Sequence, residues 1–241
     1  MKTKSFAVKV AGEGSLADSI IAQLRETGHQ LEDQSAVHSN FDIVIETTNL
    51  DIDQKKKLLV EIEKTLPKET VILSTCLGVT ATETASWLQH PERLVGFAAF
   101  FPWEDCELVE LAPALQTEKE NVEKAKQFFE EVGKEVEVVE DGVGLVFPRI
   151  LSLIINEAAF ALTEGVASAE DIDKAMMKGT NYPMGPLRWA DHIGIDDVYA
   201  VLAGLFKETG EDRYRPAPFI KKMVYAKWFG KKTGRGFYQY D

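Results

Sequence analysis

An α/β fold is predicted, with a Rossmann-like domain first and an all-α domain second, on three observations. Up to residue 141, short apolar runs alternate with amphipathic helical periods, as in a parallel sheet with covering helices. The first run opens onto a GxGxxA loop and then a helix, the setting in which such a loop cradles a pyrophosphate. From Gly142 onward strand signals cease and helix follows helix. The two domains so read span 1–141 and 142–241.

Each element has its own warrant. SFAVKVA (5–11) predicts a strand, and Leu16, Ile20 and Leu24 then recur at helical spacing up to the stop at Gly28. FDIVIE (41–46) is the next strand, whereas HQLEDQSAVH before it is a poor one. A helix over 50–66, a strand over 70–75, a helix over 80–88 and a strand over 93–100 follow. Strands over 108–113 and 134–141 flank an amphipathic helix over 117–133 that Gly133 ends. In the second half, helices are expected over 145–165, 168–179, 185–194, 195–210 and 216–230. Ser168 with Asp171 makes a variant capping box, and Pro148 suits a first helical turn, where amides have no partner.

Composition narrows the function. The chain of 241 residues carries 39 acidic and 27 basic residues, a net charge of −12 that repels nucleic acid and anionic membranes. No run approaches the roughly 20 apolar residues that span a bilayer, and MKTKSFAVKVAGEG has no secretory apolar core, so a cytoplasmic protein is expected. Cys76 and Cys106 are far apart, with no metal-ligand spacing around them, which predicts two ordinary thiols and no metal site.

In the glycine loop, Gly12 permits the turn, Gly14 lets phosphate approach the backbone, and the small Ala17 lets helix pack on strand. Glu13 and Asp18 lie close to where diphosphate would sit. Like charges at about 4 Å repel by around 4 kcal/mol at an effective dielectric near 20; alternatively the two acids serve the helix dipole as built-in anions. The acid that grips a ribose is expected some 20 residues past the first glycine, where Glu32 and Asp33 stand.

NYPMGPLRWADHIGIDDVYAVL (181–202) and RYRPAPFIKKMVYAKWFGKKTGRGFYQYD (213–241) carry the most specific signal. They resemble the C-terminal domain of the 3-hydroxyacyl-CoA dehydrogenase family, with its NxPMGP, ADxIGLD and GRKTGxGFY signatures, and the resemblance extends over nearly the whole chain. It implies a two-domain, NAD-dependent oxidoreductase that interconverts 3-hydroxyacyl-CoA and 3-ketoacyl-CoA, a homodimer joined through the helical domains. It implies Gly12, Gly14, Ala17 and Lys55 on the cofactor side, although the glutamate that precedes the lysine in the family pattern falls on Leu50.

The same resemblance implies a dismantled site. In such enzymes a His takes the hydroxyl proton and a Glu supports that His. The family's GxHFFNP pattern falls on GFAAFFP, which puts Ala98 at the His and Phe101 at the Asn, while the supporting carboxylate falls on Glu110. The Ser of its NTSSL pattern falls on Gly78, and the Asn of its GFxxNR pattern on Pro148. A helical excursion that contributes to CoA binding in the family is missing between Gly28 and Phe41.

Three functions stay open on these grounds. The first is a non-catalytic or strongly weakened member binding an acyl-CoA-like ligand or a homologous, active subunit. The second is an active oxidoreductase with a relocated base such as Glu110, Glu104, Asp105 or a water. The third is a purely structural dimerisation partner. His29, His38, His90 and His192 are expected in packing or surface roles; Phe97, Phe100, Phe101 and Trp103 are expected in the core more than around a ligand; Lys227, Lys231, Lys232 and Arg235 are expected on a solvated face.

Overall fold

The computed structural model describes residues 5–31 and 41–240, which divide between two units, Met1–Leu145 and Val146–Asp241. Glu32, Asp33 and His38 lie outside the described residues.

The first unit is built on seven strands: β1 (Ala7–Ala11), β2 (Gln30–Leu31), β3 (Ile43–Glu46), β4 (Val71–Thr75), β5 (Leu94–Ala98), β6 (Leu108–Pro113) and β7 (Glu135–Val138). Their order across the sheet is β2-β1-β3-β4-β5-β6-β7. β3, β4 and β5 are buried at every position, which is why they read as unbroken apolar runs. The helices are α1 (Ser15–Glu26), α2 (Ile52–Glu63), α3 (Ala81–Ala85) and α4 (Lys119–Glu131). Leu16, Ala17, Ile20 and Leu24 of α1 and Phe128 and Phe129 of α4 join Val8, Ile45, Leu73, Phe97 and Trp103 in one core.

All neighbouring strands run parallel except β5 and β6, which pair antiparallel. The one reversal in this mostly parallel sheet has a reason of chain length. Only residues 99–107 join the two strands, with one 3₁₀ turn at Trp103–Asp105, whereas a parallel crossover needs a dozen or more residues. That reversal matters for the site, because it sets Glu110 directly across from Ala98.

Two buried clusters tie segments of the first unit together, the first of them at the start of β5. In HPERLVGF, Arg93 is 2% exposed and holds the Pro67 carbonyl and Glu63, whose carboxylate also accepts the Gln89 and His90 amides at 2.8 and 2.9 Å. Past β7, Asp141 caps α3 by accepting the Ala81 and Thr82 amides at 2.8 Å each. Gly144 then donates to the Cys76 carbonyl, and Val143 and Leu145 are buried, so residues 142–145 stay with the first unit.

The second unit holds α5 (Phe147–Thr163), α6 (Ala169–Thr180), α7 (Pro186–Ile193), α8 (Ile195–Thr209) and α9 (Pro218–Tyr225). α5 packs against α7 and α8. Pro148 stands in the first turn of α5 and Ser168 caps α6 by accepting the Asp171 amide. No helix among the described residues is long and apolar enough to cross a membrane.

Candidate functional site

The chain leaves β1 in one direction to β2 and in the other to β3, so the crevice beyond the carboxyl ends of β1 and β3 is a topological switch point, where open α/β sheets bind their ligands. Gly12, with φ of 103°, turns the chain there. A Cβ on Gly12 would lie 2.7 Å from the Thr47 hydroxyl, so a side chain is excluded by contact as well as by conformation. Gly14, with φ of 107°, caps α1 without a side-chain hydrogen bond, and nothing lies within 4 Å of where its Cβ would be. Ala17 is buried against the core. An uncapped helix start beside an open glycine fits the pyrophosphate of a dinucleotide. Glu13 and Asp18 are exposed, and in a water-like dielectric two charges at 4 Å repel by only about 1 kcal/mol. Their repulsion therefore does not close the loop to an anion.

Beside the loop lies a buried ionic network. Lys55 and Glu46 are both fully buried and paired. The Lys55 ammonium also donates to the Thr48 carbonyl at 3.0 Å and to the Thr75 hydroxyl at 3.1 Å, so its three protons are all engaged. Glu46 further accepts the Ser74 hydroxyl at 2.8 Å and the Thr48 amide at 2.6 Å. The charge of Lys55 is thus turned inward, to Glu46 and the chain around it. Leu50, where the resemblance has a glutamate, is 44% exposed.

At the end of β5, Ala98 faces Glu110 as a direct cross-strand pair, so both side chains project from the same face of the sheet. Ala98 is 4% exposed and Glu110 6%. The pair sets a methyl group beside a buried carboxylate. Gly78, just past β4, brings no hydroxyl to the same edge.

The described imidazoles of the first unit lie elsewhere in it. His29 accepts the Phe6 amide on Nδ1 at the opposite end of β1 and packs against Phe6 and Phe128; burial lowers its pKa. His90 precedes β5, at the end remote from Ala98, with Glu92 3.2 Å away. His192 sits on α7 with the Lys231 ammonium 3.2 Å from its Nδ1.

The residues after β5 divide between core and groove. Phe97, Phe100 and Trp103 are buried, and Lys134 donates to the Trp103 carbonyl at 2.8 Å while lying over its ring. Phe101 and Glu104 instead line a groove of about 620 Å³ along the Ser15, Asp18 and Gln23 face of α1. Glu104 accepts the Ser19 hydroxyl at 2.6 Å, and Ser19 accepts the Trp103 amide. Burial pushes the Cys106 thiol up to about 11 and Cys76 up to about 12, and both cysteines are free thiols. No group of three metal-ligating side chains occurs among the described residues.

The late signature is a scaffold. Asp191, fully buried, accepts the Phe237 and Tyr238 amides at 2.9 and 2.8 Å and the Tyr240 hydroxyl at 3.0 Å. A Cβ on Gly236 would overlap that carboxylate. Asp173 accepts the Leu187 and Arg188 amides and the Tyr238 hydroxyl. Lys232, expected on a solvated face, is instead mostly covered, with its side chain 10% exposed between Asp196 at 3.1 Å and Asp197 at 2.7 Å. Arg235 stacks on Trp228 at 3.6 Å. Charged residues here are held by partners that sequence spacing does not reveal.

Comparison with known proteins points one way. Residues 2–142 match the model of the 3-hydroxyacyl-CoA dehydrogenase NAD binding domain, and residues 144–240 match that of the C-terminal domain. The chain is 39% identical over 202 residues, 84% of its length and 69% of the relative's, to a 3-hydroxybutyryl-CoA dehydrogenase of Bradyrhizobium diazoefficiens. It is 37% identical over 200 residues, 83% of its length and 70% of the relative's, to a probable 3-hydroxybutyryl-CoA dehydrogenase of Bacillus subtilis. Among solved structures, (S)-3-hydroxybutyryl-CoA dehydrogenase from Ralstonia eutropha superposes with a TM-score of 0.81 at 29% identity, covering 99% of this chain and 100% of that one.

Proposed function

This chain belongs to the 3-hydroxyacyl-CoA dehydrogenase family, and on that premise we propose that it is a strongly weakened member, retaining the family's binding scaffold but not its proton-transfer machinery. One observation carries the reading: Ala98 stands directly across β5 and β6 from Glu110, so the carboxylate is kept and the base it would support is a methyl group. NAD, when bound, supplies a hydride acceptor; Gly12, Gly14 and Ala17 would hold it through the start of α1, with Lys55 acting from below. Proton removal at the substrate oxygen needs a base in hydrogen-bond reach, which contributes about 10²–10⁴-fold. Donors at that oxygen contribute about 10²–10³-fold each, and Gly78 and Phe101 supply no side-chain donor. Such losses together leave binding without useful turnover.

The ligand read from the resemblance is an acyl-CoA-like thioester. Assembly through the second unit, as a homodimer or with an active homologue, is supported by Val146, Phe147 and Ile150, exposed by 48%, 50% and 54% along one side of α5. A second reading, a working oxidoreductase in which Glu110 takes the proton itself, draws on the burial of that carboxylate beside Ala98. Titrating purified protein with NADH and with acetoacetyl-CoA, followed by thermal shift, tests the proposal. Stabilisation by both ligands is expected. A melting temperature that neither ligand moves would overturn it in favour of a purely structural role.

A further inference from the structure

The Lys55–Glu46 pair joins four segments that sequence keeps apart. Glu46 ends β3, Lys55 lies in the first turn of α2, Ser74 and Thr75 end β4, and Thr48 lies in the turn between β3 and α2. The pair holds that turn from both sides, since Glu46 accepts the Thr48 amide and Lys55 donates to the Thr48 carbonyl. The residue before it, Thr47, reaches across to β1. Its amide and hydroxyl donate to the Ala11 carbonyl at 3.2 and 3.3 Å, and its hydroxyl is the atom against which Gly12 packs. An unbroken chain of contacts therefore runs from the buried pair, through Thr48 and Thr47, to the first glycine of the phosphate loop. A fully buried ion pair costs desolvation that well-packed apolar side chains would not incur, so its use for global stability alone is a poor account of it.

We infer that Lys55 and Glu46 act as one positioning unit for the dinucleotide loop, fixing the Thr47–Thr48 turn against Ala11 and Gly12 rather than touching the cofactor. The inference rests on the proposed dinucleotide binding, and its test separates the two. Lys55→Met, Glu46→Gln and the neutral pair E46Q/K55M are compared with the wild type in two measurements: hydrogen–deuterium exchange of residues 46–49 without ligand, and NADH titration by fluorescence. The expected result is faster exchange of that segment in each single variant, with the remainder of the sheet still protected. NADH affinity should weaken by roughly 10- to 100-fold, as when outer partners of a ligand site are removed. The double variant should be no weaker than the worse single, because the two residues act together.

Unchanged exchange at 46–49 in a folded variant would overturn the inference, whatever happens to NADH. Equally, losses that add in the double variant would show that the two residues do not act as one unit, and would overturn the inference. Collapse of the folded state in E46Q/K55M would show the pair serving the global fold. If the wild type itself fails to bind NADH, the proposed function is lost while the exchange measurement still decides the positioning role.

Discussion

Placing an imidazole at position 98 is the perturbation that separates the proposed loss of a whole site from the loss of a single base. Ala98→His places a ring on the face of the sheet that Glu110 shares, where directly opposed Cβ atoms stand roughly 4.5–5.5 Å apart, so the carboxylate can meet one ring nitrogen. In isolation a positioned base supplies about 10²–10⁴-fold, or about 2.7–5.4 kcal/mol. Two terms oppose that gain here. Ala98 is 4% exposed and neighboured by the buried Phe97, Ala99 and Phe100, so the added ring costs about 1–3 kcal/mol of overpacking. Groups that act as a unit are also far from additive, and with Gly78 and Phe101 unchanged the substrate oxygen gains no side-chain donor. NADH-dependent reduction of acetoacetyl-CoA by A98H is therefore expected within about tenfold of the wild-type chain, whereas A98H/F101N/G78S should rise by about 10²-fold or more. Turnover by A98H alone that matches the triple variant would refute the account of a multiply disabled site.

Three further outcomes follow from the geometry. Gly12→Ala places a Cβ against the Thr47 hydroxyl at positive φ and should destabilise the protein by about 1–3 kcal/mol, whereas Gly14→Ala, with open space around it, should cost less in chemical denaturation yet still weaken NADH binding. Because burial, partly opposed by Glu131, lowers the pKa of His29, its contribution to stability is complete above about pH 6.5 and is lost as pH falls through the lower, folded-state value. His29→Asn keeps an acceptor for the Phe6 amide and should flatten the fall in melting temperature between pH 7 and pH 5; an unchanged slope would contradict this. With its thiol pushed up to about 11, Cys106 is thiolate in only about one molecule per thousand at pH 8. Both cysteines should thus resist iodoacetamide in the native state and react in denaturant.

What the sequence made legible was whatever repeats along the chain. Apolar runs with helical periods between them located the strands and α1, α2 and α4, and Ser168 and Pro148 marked helix starts that the structure contains. Direction and partnership were less legible. The β5–β6 reversal was signalled only by the shortness of the 99–107 connection, and β2 has just two residues. Lys55 and Lys232 read as solvated or ligand-facing charges because their partners, Glu46, Asp196 and Asp197, are brought to them by folding. The aromatic residues after β5 could not be sorted until the loop was seen lying on α1, with Trp103 inward and Phe101 toward the groove. The most specific signature, at the C-terminus, reports a scaffold of buried carboxylates and the glycines that fit them.

The proposed loss of proton transfer is tested most directly by the steady-state rate at which the purified wild-type chain consumes NADH with saturating acetoacetyl-CoA. A rate indistinguishable from the blank, in protein that still binds NADH, is the predicted result. Turnover within the ordinary enzymatic range of about 1–10³ per second, abolished by Glu110→Gln, would contradict it and identify that carboxylate as the working base.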